Sequence, residues 1–366
     1  MTGASQTQGR QREHLRPPVT RVGALGWVRT NLFSSWFNAL LTFATLYFLW
    51  KVVPPLVRWA FVESFWTSTG AECRLGTGAC WSVIPANLRF ILFGFYPQAE
   101  QWRPATAMAL LLALLFWSRD RRHWNRGLGY LWAGGLVAMG VLMRGGVLGL
   151  AAVETELWSG LPLTLLLAVF GMVAAYPLGV VLALGRRSTM PAIRSMCVVY
   201  IELIRGVPLI SLLFMSSVMF PLFLPEGITV NKILRAQAAI ILFTAAYIAE
   251  VVRGGLQAIP RGQYEAADSL GLDYPRSMRL VVLPQALKIV IPPTVGVLIS
   301  AFKDTSLVVI IALYDLLKTT QSTLSNPSWM GFSREAYIFL ALVYFACCWA
   351  MSSYSRRLER ELHRGH

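Results

Sequence analysis

Stretches of about 20 apolar residues recur along this chain, each the length a helix needs to cross the hydrocarbon layer of a bilayer. Short basic segments separate them. Eight can be read, at approximately 33–53, 104–118, 127–143, 160–184, 195–220, 236–254, 288–311 and 336–354. The second, around Ala105–Trp117, is the shortest, and it counts as a span mainly because basic residues follow it. Of 366 residues, 55% are hydrophobic and 14% charged, and mean hydropathy is +0.54. Soluble domains carry roughly 45–50% apolar and about 25% charged residues. A soluble enzyme, a disordered protein and a coiled coil are thereby excluded. The expected fold class is an all-α polytopic membrane protein with about eight transmembrane helices.

A net charge of +15 would suggest nucleic acid on a soluble chain. Here it reads as a topology signal, and no nucleic-acid partner is expected. With the N-terminus placed inside, the inner segments hold 21 of the 33 Lys and Arg, the outer segments nine, and three (Lys51, Arg205, Lys303) fall within spans. Inner clusters include Arg10, Arg12, Arg16, Arg21 and Arg29, then Arg119–Arg126, Arg186, Arg187 and Arg194, and Arg356–Arg364. Cytoplasmic loops are enriched in Lys and Arg, so both termini are expected in the cytoplasm. Deleting the second span would put the Arg119–Arg126 cluster outside. The first span starts after more than 30 residues and lacks a small-residue cleavage site, so it is not read as a signal peptide. Met1–Arg16 is polar and expected to be disordered.

Cys73 and Cys80 lie in the outer segment between the first two spans, where an oxidising periplasm would keep a disulfide. Two free thiols are the alternative. Cys197, Cys347 and Cys348 read as small packing residues within spans. Four His and five Cys fall in no zinc-like spacing, so no metal site is expected. The run Phe90–Tyr96, with Trp66 and Trp81 nearby, reads as an interfacial amphipathic element lying on the membrane. Trp36, Trp50, Trp102, Trp124 and Tyr354 near span ends read as interface anchors.

The inner stretch between the sixth and seventh spans is unusually polar. Glu265–Leu270 has good helix formers with small residues on one side, and Gly271 can take the left-handed conformation that ends a helix. An ordinary connecting loop is the bland reading. The spacing Glu265-Ala266-Ala267, three residues, Gly271, nine residues, Val281, one residue, Leu283-Pro284 closely resembles the EAA signature of ABC importer permeases, with Val281 where that family has Ile. Tyr200–Pro208, Tyr247–Gly255, Gln257–Gln263 and Phe302–Leu307 extend the resemblance, from about Gly160 to Arg357, to permeases of polar amino-acid uptake systems. The longer N-terminal region and the cysteine pair resemble the long permease subunits of general L-amino acid transporters.

The resemblance implies a C-terminal five-helix permease core, with the segment around Glu265–Gly271 docking on an ATPase subunit. It implies an ABC ATPase dimer, a periplasmic amino-acid-binding protein and a second homologous permease as partners, in a bacterial inner membrane. The chain has no Gly-x-x-x-x-Gly-Lys-[Ser/Thr] phosphate loop, so no cofactor is expected on it, with ATP and Mg on the partner ATPase. It is therefore read as a transporter subunit rather than an enzyme. The corresponding organisation is a cytoplasmic tail at 1–32, a three-helix extension at 33–158 with a periplasmic segment at 54–103, the permease domain at 159–356 and a tail at 357–366.

Ionisable groups inside spans are costly and are functional candidates. Glu202 and Arg205 are one helical turn apart, as are Glu250 and Arg253, and Lys303-Asp304 is a third site. Each pair either pins helix to helix or belongs to a gate that rearranges during transport. Gly206 and Pro208 should break their helix and let backbone polar groups line a cavity. Tyr247, beside this set, is a further path candidate. Lys303, Thr305 and Ser306 would suit a substrate carboxylate; Glu202, Glu250 or Asp304 would suit its ammonium group. Pro292-Pro293 predicts a second kink, as a moving hinge or a fixed bend. A lone secondary transporter or channel is the runner-up, favoured by uptake without an ATPase. A membrane-embedded enzyme would need a nucleophile–base or metal pattern, and none appears in the spans.

Overall fold

The computed structural model describes residues 23–147 and 149–363. The expectations for Met1–Arg16, and the inner placement of Arg10, Arg12, Arg16, Arg21 and Arg364, fall outside the described residues. The chain divides into two compact units, Met1–Cys80 and Trp81–His366.

In the first unit, α1 (Ala24–Leu32) precedes α2 (Trp36–Val57), which continues through a π turn to Val62. Ser35 starts α2 by accepting a hydrogen bond from the Asn38 amide. Apolar side chains then run all round the helix, and none of its residues is buried, so α2 has the surface of a helix made for lipid. The short α3 (Gly70–Leu75) opens with a capping box between Thr69 and Glu72. Cys73, on α3, is joined by a disulfide to Cys80.

The second unit contains α4 (Val83–Phe93), α5 (Trp102–Ser118), α6 (Arg126–Arg144), α7 (Gly160–Arg186), α8 (Pro191–Gly206), α9 (Leu209–Phe214, continuing to Phe223), α10 (Lys232–Gln257), α11 (Arg261–Ser269), α12 (Tyr274–Ser277), α13 (Leu283–Asp304), α14 (Leu316–Leu324) and α15 (Ser333–His363). Among the described residues of the whole chain, six helices are long and apolar enough to cross a membrane, seven if α8 and α9 count as one broken span. The remaining expected span, the second at 104–118, corresponds to α5. It has 17 residues, about 25 Å at 1.5 Å per residue, the short end of what crosses a bilayer.

The centre of this unit is α10, packed against α7, α8, α9 and α13. A stripe of small residues on α7, Gly171, Ala175, Gly179 and Ala183, is buried, and it lets the α10 backbone approach closely. A Cβ on Gly179 would meet Ile248 of α10 at 2.7 Å. One apolar core gathers Leu111, Met139, Met143, Leu163, Leu167 and Ile240; a second, nearer α11, gathers Ile201, Ile248, Val252, Leu256, Val282 and Val290.

The structural division at Cys80 falls inside the segment 33–158, in which α5 and α6 pack on each other and α5 packs on α7. One expectation needs correcting. The run Phe90–Tyr96 does not lie flat on a membrane. Helix α4 is too short to cross and buries itself on the bundle instead. Ile91 sits in a core with Leu316 and Leu340, Thr319 Oγ1 donates to the Ile91 carbonyl at 2.8 Å, and Tyr96 Oη donates to the Met143 carbonyl at 2.9 Å. Helix α13 is continuous through Pro292-Pro293. The two prolines remove two donors from a 22-residue helix that is held by α10 on one side and α15 on another.

Candidate functional site

Two features stand at the end of the bundle where α10 finishes and α13 begins: a short polar helix, and a cluster of ionised side chains just inside it.

The polar helix is α11. Its C-terminus closes as a Schellman motif, with Leu272 N donating to the Ala267 carbonyl at 3.2 Å and Gly271 N to the Asp268 carbonyl at 2.9 Å. Gly271 has φ +73°, a conformation that costs L-residues with a Cβ about 1–2 kcal/mol. Asp273 then caps α12 by accepting from Arg276 N at 3.1 Å.

Side chains fasten α11 to the bundle at two points. Arg187 Nη1, just past α7, donates to Tyr264 Oη at 3.1 Å and to the Leu256 carbonyl at 3.2 Å, and its guanidinium lies 5.7 Å from the Tyr264 ring centre. Gln285 Nε2 of α13 donates to Gln263 Oε1 at 2.9 Å. These contacts fix which face turns outward. Glu265, Ala266 and Leu270 are exposed, as are Gly271 and Pro284; Leu283 is half-buried. Ala267 is buried inside the chain, so it supports α11 from beneath instead of offering contact to a partner. Glu265 does not brace the helix through its side chain. Its carboxylate makes no hydrogen bond or ion pair among the described residues, and the N-cap is Pro260.

The ionised cluster joins three helices. Glu250 of α10 receives Arg253 Nε at 2.9 Å and a second bond from Arg253 Nη2. Arg205 of α8 lies 3.6 Å from the same carboxylate and Arg186 of α7 lies 3.4 Å from it. Arg186 also pairs with Glu202 of α8 at 2.9 Å. Tyr247 stands under the Arg205 guanidinium, 5.5 Å from ring centre to carbon. Three arginines thus share two carboxylates. Arg186 is the member the sequence reading misses: it was counted only as a topology arginine.

Gly206 and Pro208 sit where the helix breaks. Val207, before proline, is extended at φ −108° and ψ 133°, and α8 and α9 meet at 103°. Lys303, Asp304 and Thr305 are elsewhere. They end α13, twenty residues or about 30 Å of helix beyond Leu283. Thr305 is buried and its hydroxyl donates to the Phe302 carbonyl at 2.7 Å. Among the described residues neither Lys303 nor Asp304 forms an ion pair, and neither meets Glu202 or Glu250. A single pocket sharing Lys303 with those glutamates is not formed.

Residues 175–364 match the family described as "Binding-protein-dependent transport system inner membrane component". The chain is 48% identical over 351 residues to the inner membrane amino-acid ABC transporter permease protein YhdY of Escherichia coli (strain K12), covering 93% of this chain and 94% of that protein. It is 40% identical over 418 residues to the glutamate/glutamine/aspartate/asparagine transport system permease protein BztC of Rhodobacter capsulatus, covering 95% and 96%. A solved structure titled "Crystal structure of an amino acid ABC transporter with histidines" superposes with a TM-score of 0.50 at 30% identity, covering 55% of this chain and 92% of that one. An all-helical bundle with several membrane-length helices, a broken span and a fastened polar helix at one end, matched over these lengths, places the chain in the family of binding-protein-dependent transport system inner membrane components, as a multi-pass inner membrane permease.

Proposed function

We infer that this permease moves L-amino acids inward, driven by ATP hydrolysed on a separate ATPase dimer, and that α11 is the coupling element. The observation that carries this reading is the fastening of α11. Tyr264 and Gln263 tie it to α7, α10 and α13 while Glu265, Ala266 and Leu270 point away from the chain. A push on α11 is therefore delivered to three helices at once. The amino-acid class follows the relatives YhdY and BztC, which match over nearly the whole chain. ATP and Mg belong to the ATPase, a periplasmic binding protein delivers substrate, and a second homologous permease completes the pathway.

In this mechanism ATP-driven closure moves α11 inward. The Arg186–Glu202–Glu250–Arg205–Arg253 cluster, which joins α7, α8 and α10, exchanges partners as those helices shift, and the break at Gly206–Pro208 absorbs the movement. The cluster pins helices in one state and gates in the other.

The test is Gly271→Asp in the reconstituted importer. Uptake and substrate-stimulated ATP hydrolysis should fall at least tenfold while membrane insertion and expression persist. Normal uptake by that variant would count against docking through α11.

A further inference from the structure

At the far end of the second unit from α11, a cavity of about 810 Å³ opens between α6, α7, α10 and the segment before α7. It differs from the ion cluster in chemistry and place. Arg144, at the end of α6, and Glu154 and Glu156, in the following segment, all line it. They are exposed, and none forms an ion pair among the described residues, so a cation and two carboxylates face one space without neutralising each other. Two more residues line the same space, and each carries a polar atom that is buried and unpaired as its side chain stands. Gln237 is 9% exposed and its Oε1 has no partner; Trp158 is 8% exposed and its Nε1 has none. Burying a polar atom unpaired is unfavourable by roughly 1–3 kcal/mol, which an occupant able to pair both would recover.

We propose that this cavity binds a free zwitterionic amino acid with a carboxamide side chain. The α-carboxylate pairs with Arg144 and the α-ammonium with Glu154 or Glu156. With each side chain turned toward the cavity, the carboxamide accepts from Trp158 Nε1 and donates to Gln237 Oε1. A zwitterionic lipid headgroup offers the same charges, but its acyl chain leaves the Trp158 donor and the Gln237 acceptor unpaired. A site built around buried hydrogen-bonding groups rejects an analogue that lacks them. The inference deepens the importer reading, placing a substrate-class site on the wall that α6 contributes.

The experiment measures equilibrium binding of radiolabelled L-glutamine and L-leucine to the full-length chain. The protein is purified in detergent with the subunits that accompany it, free of nucleotide and of binding protein. Saturable glutamine binding is expected, with leucine at least tenfold weaker. Arg144→Gln, at an exposed position, and Trp158→Phe, which keeps a ring and removes the N–H, should each weaken glutamine binding at least tenfold without lowering the melting temperature. Equal binding of leucine and glutamine overturns the proposal, as does unchanged binding by both variants. Native mass spectrometry showing phosphatidylethanolamine that Arg144→Gln releases and glutamine does not displace assigns the site to a lipid and also overturns it. ATP-driven uptake by the reconstituted complex without cavity binding overturns the site alone. Cavity binding without ATP-driven uptake keeps the site and overturns the importer reading.

Discussion

Glu250 and Glu202 both sit near arginines on candidate membrane-spanning helices, yet their surroundings assign them different weights. Glu250 is 24% exposed and lies within 4 Å of Arg186, Arg205 and Arg253; Glu202 is 55% exposed and holds Arg186 alone. Removing the shared carboxylate leaves three guanidinium groups crowded around an empty centre. Removing one partner of a desolvated pair is far more damaging than removing an exposed one. Glu250→Gln should therefore destabilise the chain by about 2–4 kcal/mol and Glu202→Gln by about 1 kcal/mol or less. Thermal melting of both variants in detergent checks this, and equal shifts would show that Glu250 is not the hub. Much of this cluster was legible in sequence, because the three- and four-residue rows of a helix place Glu202 by Arg205 and Glu250 by Arg253. The sharing of Glu250 with Arg186 was not, since Arg186 lies 64 positions away and only the crossing of α7 and α10 brings it near.

Among the elements, the helix ends carry information that periodicity hides. Three short helices, α4, α11 and α14, are set by caps and by what they pack on. Asp315 starts α14 by accepting from Lys318 N at 2.9 Å and Leu317 N at 3.2 Å, and it is fully buried. Burial outweighs those hydrogen bonds and pushes its carboxyl up to about 6 from 3.8. The folded chain then holds this proton more tightly than the unfolded chain. Its contribution is fully favourable below about pH 4 and is lost as pH rises through about 6, a span of roughly 2–3 kcal/mol. Wild type should melt higher at pH 5 than at pH 7.5, and Asp315→Asn, which keeps an acceptor for the cap, should flatten that slope. Identical slopes in the two proteins would remove Asp315 as the cause. The same focus on ends explains where proline breaks a helix. Gly206-Val207-Pro208 breaks because glycine weakens the last turn and Val207 takes the extended backbone favoured before proline. Pro292-Pro293 lies within a helix packed on both sides, so the two prolines do not end it. The apolar run of α4 was misread for a physical reason. Composition shows that a segment must leave water, and not whether lipid or protein receives it.

For the whole molecule, the number of crossings decides on which sides the two termini lie. Seven crossings put them on opposite sides of the membrane, and eight put them together, so the question rests on α5. Three contacts follow α5 down the side of α6: Trp132 Nε1 donates to Ser118 Oγ at 2.8 Å, a Cβ on Gly135 would meet Leu114 at 2.4 Å, and Arg103 Nε donates to the Leu142 carbonyl at 2.8 Å. They run antiparallel from the Arg119–Arg126 turn to the other end of α6, so α5 extends alongside its partner, and we propose that it crosses with it. Its one internal charge near the far end, Arg103, is buried yet satisfied in part by the Leu142 and Ala151 carbonyls and by Glu100 at 3.4 Å. That is how a short helix ends a crossing without stranding its cation in lipid. We propose eight crossings, with which the inner excess of Lys and Arg would place both termini in the cytoplasm. A green fluorescent protein fused to the C-terminus should therefore fluoresce, and one fused to the N-terminus should fluoresce as well. A cysteine placed at exposed Arg122, in a chain freed of other thiols, should be shielded from an impermeant maleimide in intact cells, while one at exposed Val147 should be labelled. Labelling at residue 122 from outside would mean that α5 does not cross. The N-terminus would then lie opposite the C-terminus, and the charge argument would fail with it.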